Sequence, residues 1–165
     1  MTQTHRLWSL AQAIIDKAGA EGVVIATAES CTGGLIAAAL TDVPGSSAVV
    51  DRAFVTYSNE AKHDMLGVPM ELIRRYGAVS APVARAMAVG ALRHSRADIT
   101  VSVTGIAGPS GGNDEKPVGL VWFGLKTAGA PTRVERRVFS EGGRDFVRTK
   151  ATETALHFLL TRLGG

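Results

Sequence analysis

The apolar positions of the chain recur with a helical period in some stretches and form short continuous runs in others. Between Leu7 and Ile15 they repeat at helical spacing, and Gly19 is expected to end that first helix. Further helices are predicted over residues 35–40, 59–66 and 69–76, from a cap at Ser80, and over 146–163. Strands are predicted over residues 23–28, 49–57, 99–103, 118–126 and 134–139, the last two as a hairpin. This order predicts one α/β domain over residues 1–165, a three-layer α/β/α sandwich around a mixed, mostly parallel sheet of about five strands.

Composition narrows the class of protein. Hydrophobic residues make up 45% of the chain and charged residues 20%, as in ordinary globular domains, and no apolar run approaches the ~20 residues that span a bilayer. The formal net charge of +3 suits an anionic small molecule, whereas the absence of a long Lys/Arg run argues against nucleic acid. The single cysteine excludes an internal disulfide and fits a reducing compartment. We therefore expect a cytoplasmic protein with neither a membrane nor a nucleic-acid partner.

The residues after the first predicted strand carry most of the candidate chemistry. They turn the chain from a strand into a helix, at the sheet edge where open α/β proteins bind ligands. Ser30 is either a helix N-cap or a nucleophile, and Cys31 is either a packed thiol or a competing nucleophile. Thr32 is a cap or a ligand contact, and the N–H groups around Gly33 and Gly34 are candidate donors to an oxyanion or a phosphate.

A serine nucleophile needs a base, and the four histidines do not supply an obvious one. None of them lies in a loop beside glycine or aspartate, and no HxxxH or CxxC spacing supports a metal site. Lysine is the remaining candidate. If the second strand is parallel to the first, Tyr57 and Lys62 lie at the same sheet edge as Ser30. The alternative is that Lys62 is an ordinary exposed residue of a helix. A catalytic lysine must be neutral, which requires burial or a nearby cation to lower its pKa.

Two later junctions have similar chemistry. The stretch from Thr104 to Gly112 holds four glycines in nine residues after a buried strand. It is either a mobile surface loop or backbone that approaches a ligand, with Gly105 and Gly108 as candidate contacts. Arg144 follows two glycines before the last helix and is either solvated or a bidentate clamp for an anion. Together the junctions predict one shared cleft.

Several separated segments resemble the CinA C-terminal domain family, in the correct order and across essentially the whole chain. They are Glu29-Ser30-Cys31-Thr32-Gly33-Gly34, Tyr57-Ser58-Asn59-Glu60-Ala61-Lys62, Gly77-Ala78-Val79-Ser80, and Thr104-Gly105-Ile106-Ala107-Gly108-Pro109 with Gly111-Gly112. The resemblance implies hydrolysis of the carboxamide of nicotinamide mononucleotide, which gives nicotinate mononucleotide and ammonia.

The resemblance also implies a role for each candidate residue. Ser30 matches the nucleophile, Lys62 the general base and Tyr57 a partner in proton transfer, while Thr104 and Arg144 match residues of the substrate pocket. Glycine N–H groups and the arginine would hold the 5′-phosphate of the nucleotide. Neither a metal nor another cofactor is implied, and family members commonly form homo-oligomers.

Two departures from the family pattern limit what the resemblance implies. Longer members carry an N-terminal molybdopterin-binding-like domain with pyrophosphatase activity, which this sequence does not show, so that activity is not expected. The usual Gly-Asp-Arg is replaced by Gly143-Arg144-Asp145, in which the arginine aligns and the acid has moved.

Two other functions remain open at this point. The same loops would serve a non-catalytic nucleotide-binding or competence-associated module, which binds a nucleotide without turnover. A Cys31-dependent enzyme or redox protein would lose activity on thiol alkylation.

Overall fold

The computed structural model describes residues 1–164 and contains six helices and five strands within them. The helices are α1 (Gln3–Glu21), α2 (Leu35–Thr41), α3 (Asn59–Leu66), α4 (Met70–Tyr76), α5 (Ala81–Arg93) and α6 (Arg144–Arg162). The strands are β1 (Ile25–Glu29), β2 (Val50–Val55), β3 (Ile99–Gly105), β4 (Leu120–Thr127) and β5 (Arg133–Val138). A 3₁₀ turn at Ser46–Ala48 precedes β2.

The five strands form one mixed sheet in the order β2-β1-β3-β4-β5. The strand β1 pairs in parallel with both β2 and β3, which places the carboxyl ends of these three strands at one edge. The strand β4 runs antiparallel to β3, and β5 runs antiparallel to β4, so β5 again has the direction of β3. The predicted α/β sandwich with a mixed, mostly parallel sheet is confirmed.

Each face of the sheet is covered by three helices. On one face α1, α2 and α6 bury a large apolar core that includes Ile14, Ile36, Phe123 and Leu156. On the other face α3, α4 and α5 cover a smaller core around Met87. The strand β1 is buried along its whole length because it lies in the middle of both cores.

Most strand boundaries differ from the predicted ones by one or two residues, and the first and last helices differ as well. The first helix continues through Gly19 to Glu21, and Gly22 caps it with a φ of 67° and an N–H that bonds the carbonyl oxygens of Ala18 and Gly19. The strand β3 extends to Gly105, so Thr104 belongs to a strand rather than to the following loop. The last helix begins two residues earlier than predicted, at 144.

The helix α3 lies directly against the backbone of α5. A Cβ atom at Gly90, in the last turn of α5, would overlap the carbonyl group of Leu66, the last residue of α3. Glycine therefore permits an approach between these two helices that a side chain would prevent. No helix among residues 1–164 is both long and apolar enough to cross a membrane.

Candidate active site

A turn of five residues leads the chain from the end of β1 to the start of α2. Gly33 (φ 60°) and Gly34 (φ 103°) adopt left-handed backbone conformations that glycine takes without strain. The N–H of Gly33 donates to the carbonyl oxygen of Ser30 at 3.0 Å, and the N–H of Ser30 donates to that of Val103 at 3.0 Å. This backbone network fixes Ser30 at the carboxyl edge of the sheet, with 8% of its surface exposed.

The side chain of the fully buried Glu29 stabilises the same turn by hydrogen bonds. Its carboxylate accepts hydrogen bonds from the Thr27 and Thr32 hydroxyls at 3.0 and 2.8 Å. It also accepts from the N–H groups of Ile36 and Ala37, both at 2.9 Å, in the first turn of α2. Four donors satisfy the buried charge, so Glu29 joins the end of β1 to the start of α2.

Lys62 contacts Ser30 directly. Its Nζ lies 3.1 Å from Ser30 Oγ and donates to the carbonyl oxygen of Thr56 at 2.8 Å. Only 2% of the residue is exposed, and this burial lowers the pKa of the amine from 10.5 to about 8. A hydroxyl and a lysine amine that readily becomes neutral therefore lie within hydrogen-bonding distance.

Cys31 lies beside this pair but has the opposite electrostatic character. The side chain is buried, and burial raises the pKa of the thiol to about 12. Because the thiolate is the reactive form, a thiol with this pKa is a poor nucleophile at neutral pH. This argues against an enzyme that depends on Cys31.

A pocket of about 310 Å³ opens above Ser30. Seven of the residues predicted from the sequence line it: Ser30, Tyr57, Lys62, Thr104, Gly105, Gly108 and Arg144. They come from β3, from α3, from the first turn of α6 and from the loops that join these elements. The structure thus brings together the shared cleft expected from separate junctions.

Arg144 joins two walls of this pocket. One of its guanidinium nitrogens, Nη1, donates to the carbonyl oxygen of Gly108 at 2.8 Å. The other, Nη2, donates to the hydroxyl of Tyr57 at 2.9 Å. The Tyr57 side chain is 64% exposed, and its hydroxyl contacts this arginine rather than Ser30 or Lys62. A cation and a phenol therefore stand together at the mouth of the pocket.

Thr104 and Gly105 shape the wall formed by β3. The Thr104 hydroxyl donates to the carbonyl oxygen of Ala78 at 2.9 Å and so ties the segment before α5 to the sheet. A Cβ at Gly105 would lie 2.8 Å from Val121 Cγ2 and 3.1 Å from Cys31 Sγ. Only a residue without a side chain fits between these two neighbours.

Three predicted site residues lie outside the lining of the pocket. Thr32 is fully buried and donates its hydroxyl to Glu29. The N–H of Gly33 is already bonded to Ser30, and Gly34 serves as the N-cap of α2. In this structure the three residues shape the turn, and the donor groups of Thr32 and Gly33 are already occupied.

Among the residues at or beside the site that the sequence did not single out, Asn59 and Arg148 carry polar groups. Asn59 lines the pocket at the start of α3. Arg148 donates from Nε to the carbonyl oxygen of Cys31 at 3.1 Å and from Nη2 to that of Thr32 at 3.5 Å. The sequence contained a signal for Arg148. It follows Arg144 by four residues, and residues four apart lie on the same face of a helix.

The histidines lie apart from this chemistry. The Nδ1 atoms of His63 and His94 are hydrogen-bonded to the carbonyl oxygens of Val68 and Gly90. Within residues 1–164 no group of three or more His, Cys, Asp or Glu side chains is arranged to hold a metal ion.

Comparison with known proteins agrees with this architecture. The sequence profile of the CinA C-terminal domain matches residues 7–163. The nicotinamide-nucleotide amidohydrolase PncC of Escherichia coli is 52% identical over 153 residues, covering 93% of this chain and 92% of that protein. A CinA-like protein of Mycobacterium tuberculosis is 50% identical over 98% of this chain, which spans 38% of that longer protein. The crystal structure of the competence/damage inducible protein CihA from Agrobacterium tumefaciens is 49% identical and superposes with a TM-score of 0.93 over 97% of this chain and 96% of its own. The chain belongs to the CinA C-terminal domain family.

Proposed function

We propose that this protein hydrolyses the carboxamide of nicotinamide mononucleotide to nicotinate mononucleotide and ammonia, with Ser30 as nucleophile. The observation that carries the proposal is the buried Lys62 amine, 3.1 Å from Ser30 Oγ, with a pKa of about 8. Relatives that are 52% identical over most of the chain are named nicotinamide-nucleotide amidohydrolases. A nucleotide of this kind is also a small anion, in keeping with the net charge of +3.

The first half of the reaction forms an acyl-enzyme. Neutral Lys62 accepts the proton of Ser30 as Oγ attacks the carboxamide carbon, and the carbonyl oxygen becomes an oxyanion. As the oxyanion collapses, the C–N bond breaks and Lys62 returns the proton to the departing amine, which leaves as ammonia. The direct contact between the two side chains supports this transfer without an intermediary.

The second half hydrolyses the ester between the nicotinoyl group and Ser30. Lys62 accepts a proton from water as the water oxygen attacks the same carbon. The bond to Oγ breaks, and Lys62 returns the proton to Ser30. The new carboxyl group releases its remaining proton to solvent, nicotinate mononucleotide leaves, and the enzyme is restored.

Arg144 and Tyr57 complete the site as its substrate-binding groups. A guanidinium fork suits a phosphate better than a single ammonium does, because it offers parallel donors. Arg144 already orients the Tyr57 hydroxyl and the Gly108 carbonyl at the pocket mouth. We assign it to the 5′-phosphate, with Tyr57 beside it as a hydrogen-bonding partner of the substrate. Thr104 and Gly105 form the wall of the pocket that β3 provides.

Ammonia release tests the proposal directly. Purified protein is incubated with nicotinamide mononucleotide, nicotinamide or NAD, and ammonia and the pyridine product are measured. We expect turnover of the mononucleotide that is abolished by Ser30→Ala, while circular dichroism and the melting temperature stay close to those of the parent. Saturable binding of the mononucleotide without turnover would instead support a non-catalytic nucleotide-binding module. Full activity of Ser30→Ala would rule out Ser30 as the nucleophile.

A further inference from the structure

Arg148 reaches from the second turn of α6 to the outside of the nucleophile turn. Its Nε lies 3.1 Å from the carbonyl oxygen of Cys31, and its Nη2 lies 3.5 Å from that of Thr32. The side chain does not line the pocket, so it does not reach the space a substrate would occupy. Its contacts are with the backbone of two successive peptide units next to Ser30.

The orientation of these peptide units decides where their N–H groups point. In a trans peptide the carbonyl and the N–H point in opposite directions. The carbonyl of Ser30 points into the turn, where it accepts from Gly33, so the N–H of Cys31 points out of the turn. The carbonyl of Cys31 points to Arg148, so the N–H of Thr32 points away from α6.

Neither of these N–H groups donates to a backbone oxygen among residues 1–164, and the N–H of Cys31 has only its own sulfur as a neighbouring acceptor. Cys31 itself lines the pocket and directly follows the nucleophile. A donor in that position is suited to an oxyanion formed on the carbon that Ser30 attacks, provided that the peptide is held rigidly.

We propose that Arg148 is a positioning residue: by holding the carbonyl groups of Cys31 and Thr32 it locks the turn in which the N–H of Cys31 serves as the oxyanion donor. The inference rests on the proposed function for its substrate and assigns new roles within that site. A guanidinium is suited to the task because its planar donors engage two carbonyls at once, whereas an ammonium is a single point of contact. Gly33 leaves room for it, since a Cβ there would lie 3.3 Å from Arg148 Nη2.

The test compares Arg148→Met and Arg148→Lys with the parent protein. An oxyanion donor that is lost or misaligned lowers kcat by about a hundredfold or more while leaving substrate affinity almost unchanged. We expect that loss in kcat for Arg148→Met, a smaller loss for Arg148→Lys, and a KM within about threefold of the parent for both. The inflection of the pH–rate profile should stay where Lys62 sets it, because Lys62 is untouched.

A second measurement makes the inference independent of the nucleotide. A fluorophosphonate probe forms a bond from Ser30 Oγ to phosphorus and releases fluoride, and its phosphoryl oxygen uses the same N–H donor. Labelling of Ser30 should slow in Arg148→Met by a factor similar to the loss in kcat. If the parent is labelled but does not turn over the mononucleotide, the proposed substrate fails while the role of Arg148 is still measured.

Arg162→Met is the matched control on the same helix. Its guanidinium donates to the Thr127 hydroxyl, far from the turn in the sequence and outside the pocket. It should keep the parent kcat and labelling rate. Unchanged kcat and labelling in folded Arg148→Met would overturn the inference, as would a rise in KM without a fall in kcat. If Arg148→Met does not fold, Arg148→Gln is measured against the same criteria.

Discussion

Lys62 Nζ lies 3.1 Å from Ser30 Oγ, although 32 positions separate the two residues in the chain. The contact exists because β1 and β2 pair in parallel, so that the turn after one strand and the helix after the other meet at the same edge. Burial of the lysine is what makes the contact chemically useful, since it lowers the pKa of the amine to about 8.

The pH dependence of activity follows from that pKa. A general base acts only when it is deprotonated, so kcat/KM should rise about tenfold per pH unit below pH 8 and level off above it. The rate of ammonia release, measured from pH 6 to pH 10 at constant ionic strength, checks this. A profile that is flat between pH 6 and pH 8 would contradict the role of Lys62.

Lys62 should also make stability depend on pH. Its pKa is about 8 in the folded protein and 10.5 when unfolded, so the unfolded chain binds more protons between these values. The contribution of Lys62 to the free energy of unfolding therefore rises with pH across this window, by up to about 3 kcal/mol. Urea denaturation of the parent and of Lys62→Met at pH 7 and pH 10 isolates this effect. The parent should gain stability relative to the variant at the higher pH, and an equal difference at both pH values would refute the assignment.

Removal of the thiol should have little effect on catalysis. Because burial raises the pKa of Cys31 to about 12, the group is protonated at neutral pH and serves packing. Cys31→Ala should keep kcat within about threefold and lose about 1 kcal/mol of stability from the small cavity. The backbone N–H of residue 31 is retained in this variant. A thousandfold loss of kcat in a folded Cys31→Ala protein would restore the cysteine as a candidate nucleophile.

Arg144 should discriminate substrates by their phosphate. Loss of a charge-assisted hydrogen bond costs about 1.5–3 kcal/mol, so Arg144→Met should raise KM for the mononucleotide about 10–100-fold. Nicotinamide riboside, which lacks the phosphate, is the matched substrate and should be affected much less. Steady-state kinetics on both substrates gives the comparison. Equal losses on the two would assign Arg144 to the pocket wall rather than to the phosphate.

The buried carboxylate of Glu29 should be structural. Glu29→Gln replaces an acceptor oxygen with an amide that faces N–H and hydroxyl donors, which should cost about 2–4 kcal/mol of stability. Glu141→Gln, at an exposed position, is the control and should change stability by less than about 0.5 kcal/mol. Chemical denaturation measures both. A loss in Glu29→Gln no larger than that of the control would show that the carboxylate does not hold the turn.

The sheet was predictable because β1 continues an apolar run that starts at Val23, and β3 alternates Ile and Val with Thr and Ser, a pattern typical of a strand. The burial of Lys62 was not predictable, because α3 is a polar segment whose sequence favours an exposed helix. Its burial is a tertiary effect of the packing of α3 on α5 beside the end of β2. The role of Thr32 was not predictable either. The sequence left its hydroxyl as a possible ligand contact, whereas in the fold this hydroxyl donates to Glu29.

Other expectations stay predictions. A homo-oligomer, a cytoplasmic location and the absence of a nucleic-acid partner are expected from composition and resemblance. Light scattering of the purified protein would measure the number of subunits.

The close approach at Gly90 links the spacing of the active site to a position far from it. Leu66 ends the helix that carries Lys62, and its carbonyl rests where a side chain at position 90 would be. Even a single methyl group there would push α3 outward and lengthen the gap between amine and hydroxyl. Sequence drift at a buried glycine could thus silence the enzyme while every residue of the pocket remained intact.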